Sequence, residues 1–523
     1  MIADLRALEP PQLESFTNSL VEQVVAAVTD KIPHLESSLA VAELTVALHY
    51  VLNTPEDVLV WDVGHQGYIH KALTGRMEEL VNMRKPGGLS GFLKRDESPY
   101  DFFGAGHAST SISALAGVCL ADQVSGKSRQ RVAVIGDGSL TGGQSFEALN
   151  HLGSLGADAL VIINDNEGSI DATIGALHHQ QSYGTYVQSL GWQYTFLEQG
   201  NDVRALVEAL QHVLAQPGPQ TLHIKTKRPD LSPPKSYKPG TTFQWWAAET
   251  MGVVLEKNLD IQLLSPAMFA GSGFGPLREL YPNRLIDTGI NEAHTVSTAA
   301  GIVAAGGKAW VHIYSTFLQR AFDQLIHDVA LQHLPVVFLV DRAGVVGSDG
   351  PTHHGVFDGD FLINIPGATV WNPRNGNELQ GMLLEAAART LEGPLFIRYP
   401  KSRTEGGTPK DFVAYEWLQK SEGSSLWLST GALSDLITKG QNHLHLGQNW
   451  PFSADFGAIL SDFEEIHVFE ESTGFGGLAG AVSALMAELD HPGKCITHKL
   501  PLEFIEHGPR LELLREHGFN NFL

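Results

Sequence analysis

The chain has 523 residues, a hydrophobic content of 43% and a formal net charge of −23. This length and apolar content predict two to four domains with large cores, and the acidic balance argues against nucleic acid or an anionic membrane surface as a partner. The two cysteines show no disulfide or metal-site spacing, and residues 1–10 carry no basic-then-apolar signal. We therefore expect a cytoplasmic protein without a membrane span.

The first 125 residues combine helical segments with glycine-rich turns that carry histidine. Apolar residues at helical spacing predict helices over 13–30 and 41–52. His34, His65 and His107 each stand in a Pro-His or Gly-His turn. Each histidine alone is more often structural than chemical. Together they place imidazoles on loops beside a strand edge, where phosphate binding and proton transfer are plausible.

Residues 131–166 predict a strand, a helix and a second strand, which together form one βαβ unit. The first apolar run ends at Gly136-Asp137-Gly138 and the second at Asn164-Asp165-Asn166. Parallel strands bring such ends to one edge of the sheet, where Asp137 and Asn166 offer oxygen ligands for Mg²⁺. Gly-Asp-Gly alone is usually an ordinary turn. Followed by Asn-Asp-Asn at this spacing, it resembles the metal–diphosphate motif of thiamine-diphosphate enzymes.

Two polar, proline-rich or glycine-rich linkers, 229–242 and 401–411, divide the chain. Buried strands recur on both sides of each linker, separated by helical segments. We predict an α/β protein with three doubly wound domains and mostly parallel sheets. The predicted domains are residues 1–230, 243–402 and 412–523. The resemblance to thiamine-diphosphate enzymes implies that the first binds the diphosphate and metal and the second a pyrimidine ring, and the third is a C-terminal domain.

Four stretches closely resemble the 1-deoxy-D-xylulose-5-phosphate synthase family of transketolase-like thiamine-diphosphate enzymes. They are Gly-His-Gln-Gly-Tyr-Ile-His-Lys at 64–71, Gly-Gly-Leu-Ser-Gly-Phe at 87–92, Gly-His-Ala-Ser-Thr-Ser-Ile-Ser at 106–113 and Val-Ile-Gly-Asp-Gly-Ser-Leu-Thr-Gly-Gly at 134–143. The resemblance implies transketolase-like architecture, thiamine diphosphate and Mg²⁺ as cofactors, and a homodimer. It also implies condensation of pyruvate with glyceraldehyde 3-phosphate, with loss of CO₂, to 1-deoxy-D-xylulose 5-phosphate, a precursor of isoprenoids, thiamine and pyridoxal.

The same resemblance assigns roles to individual residues. Catalysis would involve Glu292, His34, His65, His353 and Asp349. The cofactor would contact His65, Gly106, His107, Ala108, Asp137, Gly138, Ser139, Asn166, Glu292 and Phe317. The substrates would be bound by Tyr314, Arg320, Arg342 and Arg398. The metal would be held by Asp137, Asn166 and a main-chain oxygen of Gly168.

Each of these roles has an ordinary structural alternative. Glu292 follows an apolar strand, where a carboxylic acid could protonate the aminopyrimidine ring, but a glutamate at a helix start is also stabilised by the helix dipole. Phe317 could stack on that ring or fill a core. The arginines suit a phosphate, although surface or interdomain ion pairs are their usual role.

Several departures from the family pattern concern the substrate end of the site. The family has several dozen more residues after the Asn-Asp-Asn helix, in a segment that helps to cover the active site. A Gly-His-Asp motif appears here as Gly200-Asn201-Asp202, and Gly-Arg-Gly-Tyr is replaced by Arg228-Pro229-Asp230-Leu231. Two alternatives therefore stay open, a carboligase of the same family with another acceptor or 2-oxo acid, and a non-catalytic paralogue.

Overall fold

The computed structural model describes residues 1–28, 33–104, 106–166, 173–179, 182–229, 239–437 and 442–523. Backbone contacts divide the chain into two units. The first comprises Met1–Pro234 with Gly289–Asn291, and the second comprises Lys235–Thr288 with Glu292–Leu523. No helix in the described ranges is both long and apolar enough to cross a membrane.

The first unit is built on a parallel five-stranded sheet in the order β1-β2-β3-β5-β4. Its strands are β1 (Val58–Asp62), β2 (Arg131–Gly136), β3 (Ala159–Asp165), β4 (Gln193–Leu197) and β5 (Pro219–Lys225). Its helices are α1 (Ile2–Arg6), α2 (Leu13–Ala27), α3 (Leu35–Leu39), α4 (Ala42–Val51), α5 (Tyr68–Lys71), α6 (Ser111–Ser125), α7 (Asp137–Leu140), α8 (Gly143–Leu155), α9 (Ala176–His179), α10 (Tyr183–Ser189) and α11 (Val203–Leu214).

Both faces of this sheet are covered, because successive side chains of a strand point to opposite faces. Val132 and Val134 pack into one apolar cluster with α2, α4 and α11. Ala133 and Ile135 pack into a second cluster with α6 and α8. The continuous apolar runs of β2 and β3 in the sequence are thus explained by burial on both sides.

The second unit contains two further sheets. A seven-stranded sheet has the order β15-β10-β11-β9-β8-β6-β7, with only β15 antiparallel, and a five-stranded sheet has the order β12-β14-β13-β16-β17, with only β12 antiparallel. The strands are β6 (Ile261–Ser265), β7 (Leu285–Asp287), β8 (Lys308–Tyr314), β9 (Val337–Asp341), β10 (Thr369–Trp371), β11 (Leu395–Tyr399), β12 (Tyr415–Gln419), β13 (Ser425–Thr430), β14 (Asn442–Leu446), β15 (Gln448–Trp450), β16 (Glu465–Glu470) and β17 (Lys494–Lys499).

Helices cover these two sheets. They are α12 (Phe243–Lys257), α13 (Gly275–Leu280), α14 (Glu292–Ala304), α15 (Ser315–Leu318), α16 (Phe322–Gln324), α17 (Asp358–Leu362), α18 (Gly376–Ala388), α19 (Leu433–Leu436), α20 (Phe456–Ser461), α21 (Leu478–Glu488) and α22 (Arg510–Leu514). The predicted α/β class with mostly parallel sheets is confirmed. The three domain boundaries stay a prediction. Strand β15 comes from the predicted third domain but joins the sheet of the second.

Candidate functional site

The predicted metal residues lie at one edge of the first sheet. Strands β2 and β3 are parallel neighbours with Gly136 opposite Asn164, so the residues that follow them meet at the same edge. Asp137 is 1% exposed, and its carboxylate accepts a 2.7 Å hydrogen bond from the Thr173 hydroxyl. Burial raises the pKa of Asp137 to about 6, and the nearby charge of Asp165 acts in the same direction. A buried acid of this kind is suited to a cation.

The three residues of the Asn-Asp-Asn turn have different surroundings. Asn164 donates to the side-chain oxygen of Gln66 at 2.9 Å and accepts from the Thr226 hydroxyl at 2.6 Å, which gives it a structural role. Asn166 is half-buried at the end of the turn. Its predicted metal role is therefore compatible with its position and stays a prediction. Gly168 lies outside the described residues.

A histidine that the sequence analysis did not single out lies beside these acids. Ligand atoms of Asp137, Asp165 and His178 all lie within 4.8 Å of one another. His178 Nδ1 is 3.8 Å from a carboxylate oxygen of Asp137. The only sequence signal was its position on a short helix soon after the metal motif, which is too weak to predict a ligand.

The predicted diphosphate loops are tied to the same sheet edge. The buried carboxylate of Asp62, at the end of β1, accepts the backbone N–H groups of Ser109 and Ser111 at 3.0 Å each. The Ser109 hydroxyl donates to the Ser139 carbonyl at 2.7 Å. A Cβ at Gly142 would lie 2.2 Å from the Ser109 oxygen, so only glycine fits. These contacts join the loops after β1 and β2.

The predicted cofactor residues of the first unit lie on these joined loops. Gly106, His107 and Ala108 immediately precede Ser109, with Ala108 buried and the other two half-buried. Gly138 and Ser139 are buried in α7, directly after Asp137. Ser109 and Asp137 thus bring the backbone of these residues to the edge of the sheet where Asp137 and Asp165 lie. Backbone N–H groups at such an edge are what a diphosphate site requires.

His34 and His65 are also brought together. Their ring centroids lie 4.4 Å apart. Burial lowers the pKa of His65 well below its usual value, and the positive charge of His34 acts in the same direction. A neutral imidazole at His65 carries one donor and one acceptor nitrogen. His49, by contrast, is fully buried and bonded to His70 and Thr54, so it is a core histidine.

In the second unit, Glu292 begins α14 and is 2% exposed. Burial raises the pKa of its carboxyl, while the guanidinium of Arg320 acts in the opposite direction. The Arg320 Nη1 lies 3.3 Å from Glu292 Oε2. The structure therefore places a buried acid with a raised pKa where the sequence predicted the catalytic carboxyl group.

Four further predicted residues, three of which have aromatic rings, form one cluster beside the ends of β8 and β9. The rings of Tyr314 and Phe317 are nearly parallel, with centroids 5.7 Å apart and an angle of 17°. His353 meets Phe317 edge-on at 5.5 Å. The guanidinium carbon of Arg342 lies 3.7 Å from the centre of the Tyr314 ring, and its side chain also pairs with Asp341.

Arg398 and Asp349 are engaged in ion pairs. Arg398 donates to both carboxylate oxygens of Asp358 at 2.7 Å and to Asn372 at 2.9 Å. Asp349 lies 3.3 Å from the ammonium of Lys401. Arg398 also lines a cavity of about 40 Å³, which has room for water but not for a sugar phosphate. A substrate role for Arg398 therefore requires one of its remaining N–H groups.

The substitution at Asn201 has a structural explanation. Its amide nitrogen donates to the Ala40 carbonyl at 3.2 Å and to Glu43 at 3.1 Å, and its oxygen accepts the backbone N–H of Lys227 at 2.7 Å. Asn201 thus ties the turn before α11 to α4. Of the altered 228–231 stretch, residues 230 and 231 lie outside the described residues.

Comparison with known proteins gives two family matches. A profile described as 1-deoxy-D-xylulose-5-phosphate synthase matches residues 1–185, and one described as the transketolase pyrimidine binding domain matches residues 242–406. Among solved structures, a transketolase from Leishmania mexicana is 15% identical, with 97% of this chain and 95% of that chain covered and a TM-score of 0.46.

Curated relatives match nearly end to end, and each is called 1-deoxy-D-xylulose-5-phosphate synthase. Those from Methylobacillus flagellatus, Chlorobium phaeovibrioides and Methylococcus capsulatus are 36%, 37% and 37% identical. Each alignment covers 99% of this chain, and 96%, 95% and 92% of the respective relative. The alignments extend over 592 to 607 residues, so they contain stretches of the relatives with no counterpart in these 523 residues.

Proposed function

Because the chain belongs to the 1-deoxy-D-xylulose-5-phosphate synthase family, we propose that it condenses pyruvate with glyceraldehyde 3-phosphate, with loss of CO₂. The product is 1-deoxy-D-xylulose 5-phosphate, a precursor of isoprenoids, thiamine and pyridoxal. The observation that carries this proposal is identity of 36–37% to curated synthases over 99% of the chain. The buried acids Asp137 and Glu292 support an enzyme rather than a non-catalytic paralogue, which would not need Glu292.

The donor groups of the first unit suit Mg²⁺ and a diphosphate. Asp137 and Asn166 supply the oxygen ligands that Mg²⁺ takes together with phosphate oxygens, and a main-chain oxygen of Gly168 completes the proposed protein ligands. The backbone at 106–108 and 138–139 would hold the diphosphate. The chemistry supplied by bound thiamine diphosphate is the stabilisation of negative charge on the two-carbon unit that pyruvate leaves after decarboxylation.

The acid of the second unit suits the aminopyrimidine end of the cofactor. Glu292 is buried and burial raises its pKa, which favours a carboxyl that can share a proton with a ring nitrogen. Arg320 lies 3.3 Å away and limits that rise in pKa. The face of Phe317 provides the stacking surface for the ring.

The substrates are anions, whereas the chain is strongly acidic. Local cations must therefore attract them, and Arg320, Arg342 and Arg398 are the proposed ones.

His34, His65 and His353 would exchange protons with substrate oxygens, and Asp349 with Tyr314 would complete the site. Neutral His65 is suited to that exchange because it offers both a donor and an acceptor.

The test is release of CO₂ from pyruvate with thiamine diphosphate and Mg²⁺, measured with and without glyceraldehyde 3-phosphate. We expect release to rise with the aldehyde and a five-carbon ketose phosphate to form. CO₂ release that does not depend on the aldehyde would mean that the protein uses an acceptor other than glyceraldehyde 3-phosphate. Cofactor binding without any release, across a panel of 2-oxo acids, would contradict the enzymatic function.

A homodimer in the cytoplasm belongs to the same proposal. Light scattering of the purified protein should give twice the chain mass of 56.7 kDa. A mass equal to that of one chain at micromolar concentration would contradict the dimer.

A further inference from the structure

Asp137, Asp165 and His178 form a cluster with the dimensions of a single cation site. All three ligand atoms lie within 4.8 Å of one another. Ligands on opposite sides of one divalent cation, each about 2.0–2.6 Å from it, are separated by about 4–5 Å. One ion can therefore contact all three groups with little movement of the side chains.

The carboxylate of Asp165 is held in place by a chain of hydrogen bonds. His223 Nε2 lies 3.1 Å from Asp165, and the Tyr194 hydroxyl lies 2.7 Å from His223 Nδ1. When Nε2 of His223 donates to the Asp165 carboxylate, Nδ1 of the neutral ring is left to accept from the Tyr194 hydroxyl. Partners that orient a ligand in this way are common around metal sites.

His178 adds a nitrogen atom to a site whose predicted ligands are all oxygen atoms. Its Nδ1 lies 3.8 Å from Asp137 and 3.1 Å from the hydroxyl of Tyr183. An imidazole nitrogen is a better ligand for Co²⁺, Ni²⁺ or Zn²⁺ than for Mg²⁺, which strongly prefers oxygen. The identity of this side chain therefore affects which cation the site prefers.

We propose that His178 is a ligand of the divalent cation held by Asp137, and that it raises the affinity of the site for Co²⁺ or Ni²⁺ relative to Mg²⁺. The inference rests on the proposed function, because that function supplies the metal role of Asp137. The Tyr183 hydroxyl lies 3.1 Å from His178 Nδ1, so a cation that binds at this nitrogen must displace the hydroxyl from it. Removal of that hydroxyl should therefore strengthen binding of Co²⁺.

The experiment is calorimetric titration of the full-length protein with CoCl₂ and, separately, MgCl₂, each in the presence and absence of thiamine diphosphate. We expect His178→Asn to weaken Co²⁺ binding about 10–100-fold and to change Mg²⁺ binding less than about threefold. The visible absorption of bound Co²⁺ should also change, because a nitrogen ligand is lost. Tyr183→Phe should bind Co²⁺ more tightly than the wild type.

His179→Asn is the matched control, because His179 is the exposed next residue on α9. It should leave the Co²⁺ affinity and absorption as in the wild type. Equal Co²⁺ affinity and absorption in His178→Asn and the control would overturn the inference while leaving the synthase function intact. Failure of the wild type to bind either cation, even with thiamine diphosphate, would instead contradict the cofactor assignment itself.

Discussion

Burial and a neighbouring arginine act in opposite directions on the pKa of Glu292, the proposed catalytic acid. Its carboxyl is 2% exposed and its pKa is raised by that burial. Arg320 stabilises the charged form, so the two effects oppose each other at one acid. Burial is the larger of the two effects, so the carboxyl holds its proton more tightly than an exposed glutamate does.

Replacement of Glu292 by glutamine tests this role. The amide keeps the size of the side chain but cannot transfer a proton, so we expect Glu292→Gln to lower kcat by about 10²–10⁴-fold. Affinity for thiamine diphosphate with Mg²⁺, measured by calorimetry, should change only a few-fold. Glu256→Gln, at an exposed glutamate of α12, is the control. Turnover close to wild type in Glu292→Gln would remove Glu292 from the catalytic step.

At the scale of elements, the turn after α7 depends on one glycine. A Cβ at Gly142 would lie 2.2 Å from the Ser109 hydroxyl oxygen, whereas nothing lies within 4 Å of a Cβ at Gly143. Gly142→Ala should therefore cost about 1–3 kcal/mol, and Gly143→Ala should be close to neutral or stabilising.

The two variants are compared by thermal unfolding and by affinity for thiamine diphosphate. We expect Gly142→Ala alone to weaken cofactor binding, because the shift of Ser109 displaces the adjoining 106–108 backbone. If both alanine variants unfold and bind the cofactor alike, the close packing of these two loops has no energetic importance.

A second element-scale contact joins α18 to the third sheet. Oε2 of Glu378 lies 3.0 Å from His445 Nε2. Burial by itself would raise the pKa of Glu378, but the hydrogen bond to His445 and the charge of Arg374 lower it to about 2. The folded state therefore binds this proton less readily than the unfolded state, whose pKa is about 4.3. The stabilisation of the folded state by the ionised Glu378 carboxylate is complete above about pH 4.3 and is lost as the pH falls from about 4.3 to 2.

Glu378→Gln should lower the free energy of unfolding by about 1–3 kcal/mol at pH 7. The difference from the wild type should shrink as the pH falls below about 4.3, because the unfolded wild-type chain then takes up a proton that the folded chain binds only near pH 2. Thermal unfolding at pH 7, 4.5 and 3 measures this. Glu385→Gln, at a half-buried position of the same helix whose solvent-accessible ion pair with Arg389 contributes little, should show little difference at any pH. A Glu378→Gln difference that is constant with pH would contradict the ion pair.

At the scale of the whole molecule, a cofactor that binds only the folded chain must stabilise it. Thiamine diphosphate at about 100 times its dissociation constant adds about 2.7 kcal/mol. We expect the Tm to rise by several degrees with thiamine diphosphate and Mg²⁺ together, and EDTA to reverse the rise. An equal rise with EDTA present would show that the diphosphate binds without a metal.

Much of the fold and of the site follows from local sequence. Strands β2 and β3 were predictable because continuous β-branched runs flanked by glycine and asparagine suit strands that are buried on both faces. The positions of Asp137 and Glu292 were predictable because each comes just after a predicted strand. The direct contact of His34 with His65 was not predicted, since 30 residues that include α3, α4 and β1 lie between them.

Other features depend on contacts between distant segments. β15 joins the second sheet through antiparallel pairing with β10, and no local pattern in three residues specifies that partner. Asn201 is engaged by α4, Arg398 by Asp358, and His178 lies beside Asp137 only because the fold returns α9 to the sheet edge. The sequence by itself determined the fold class and the family and led to the acids of the proposed site, because these depend on local runs and motifs. Only the tertiary structure decided which side chains surround those acids, because that depends on how distant segments pack together.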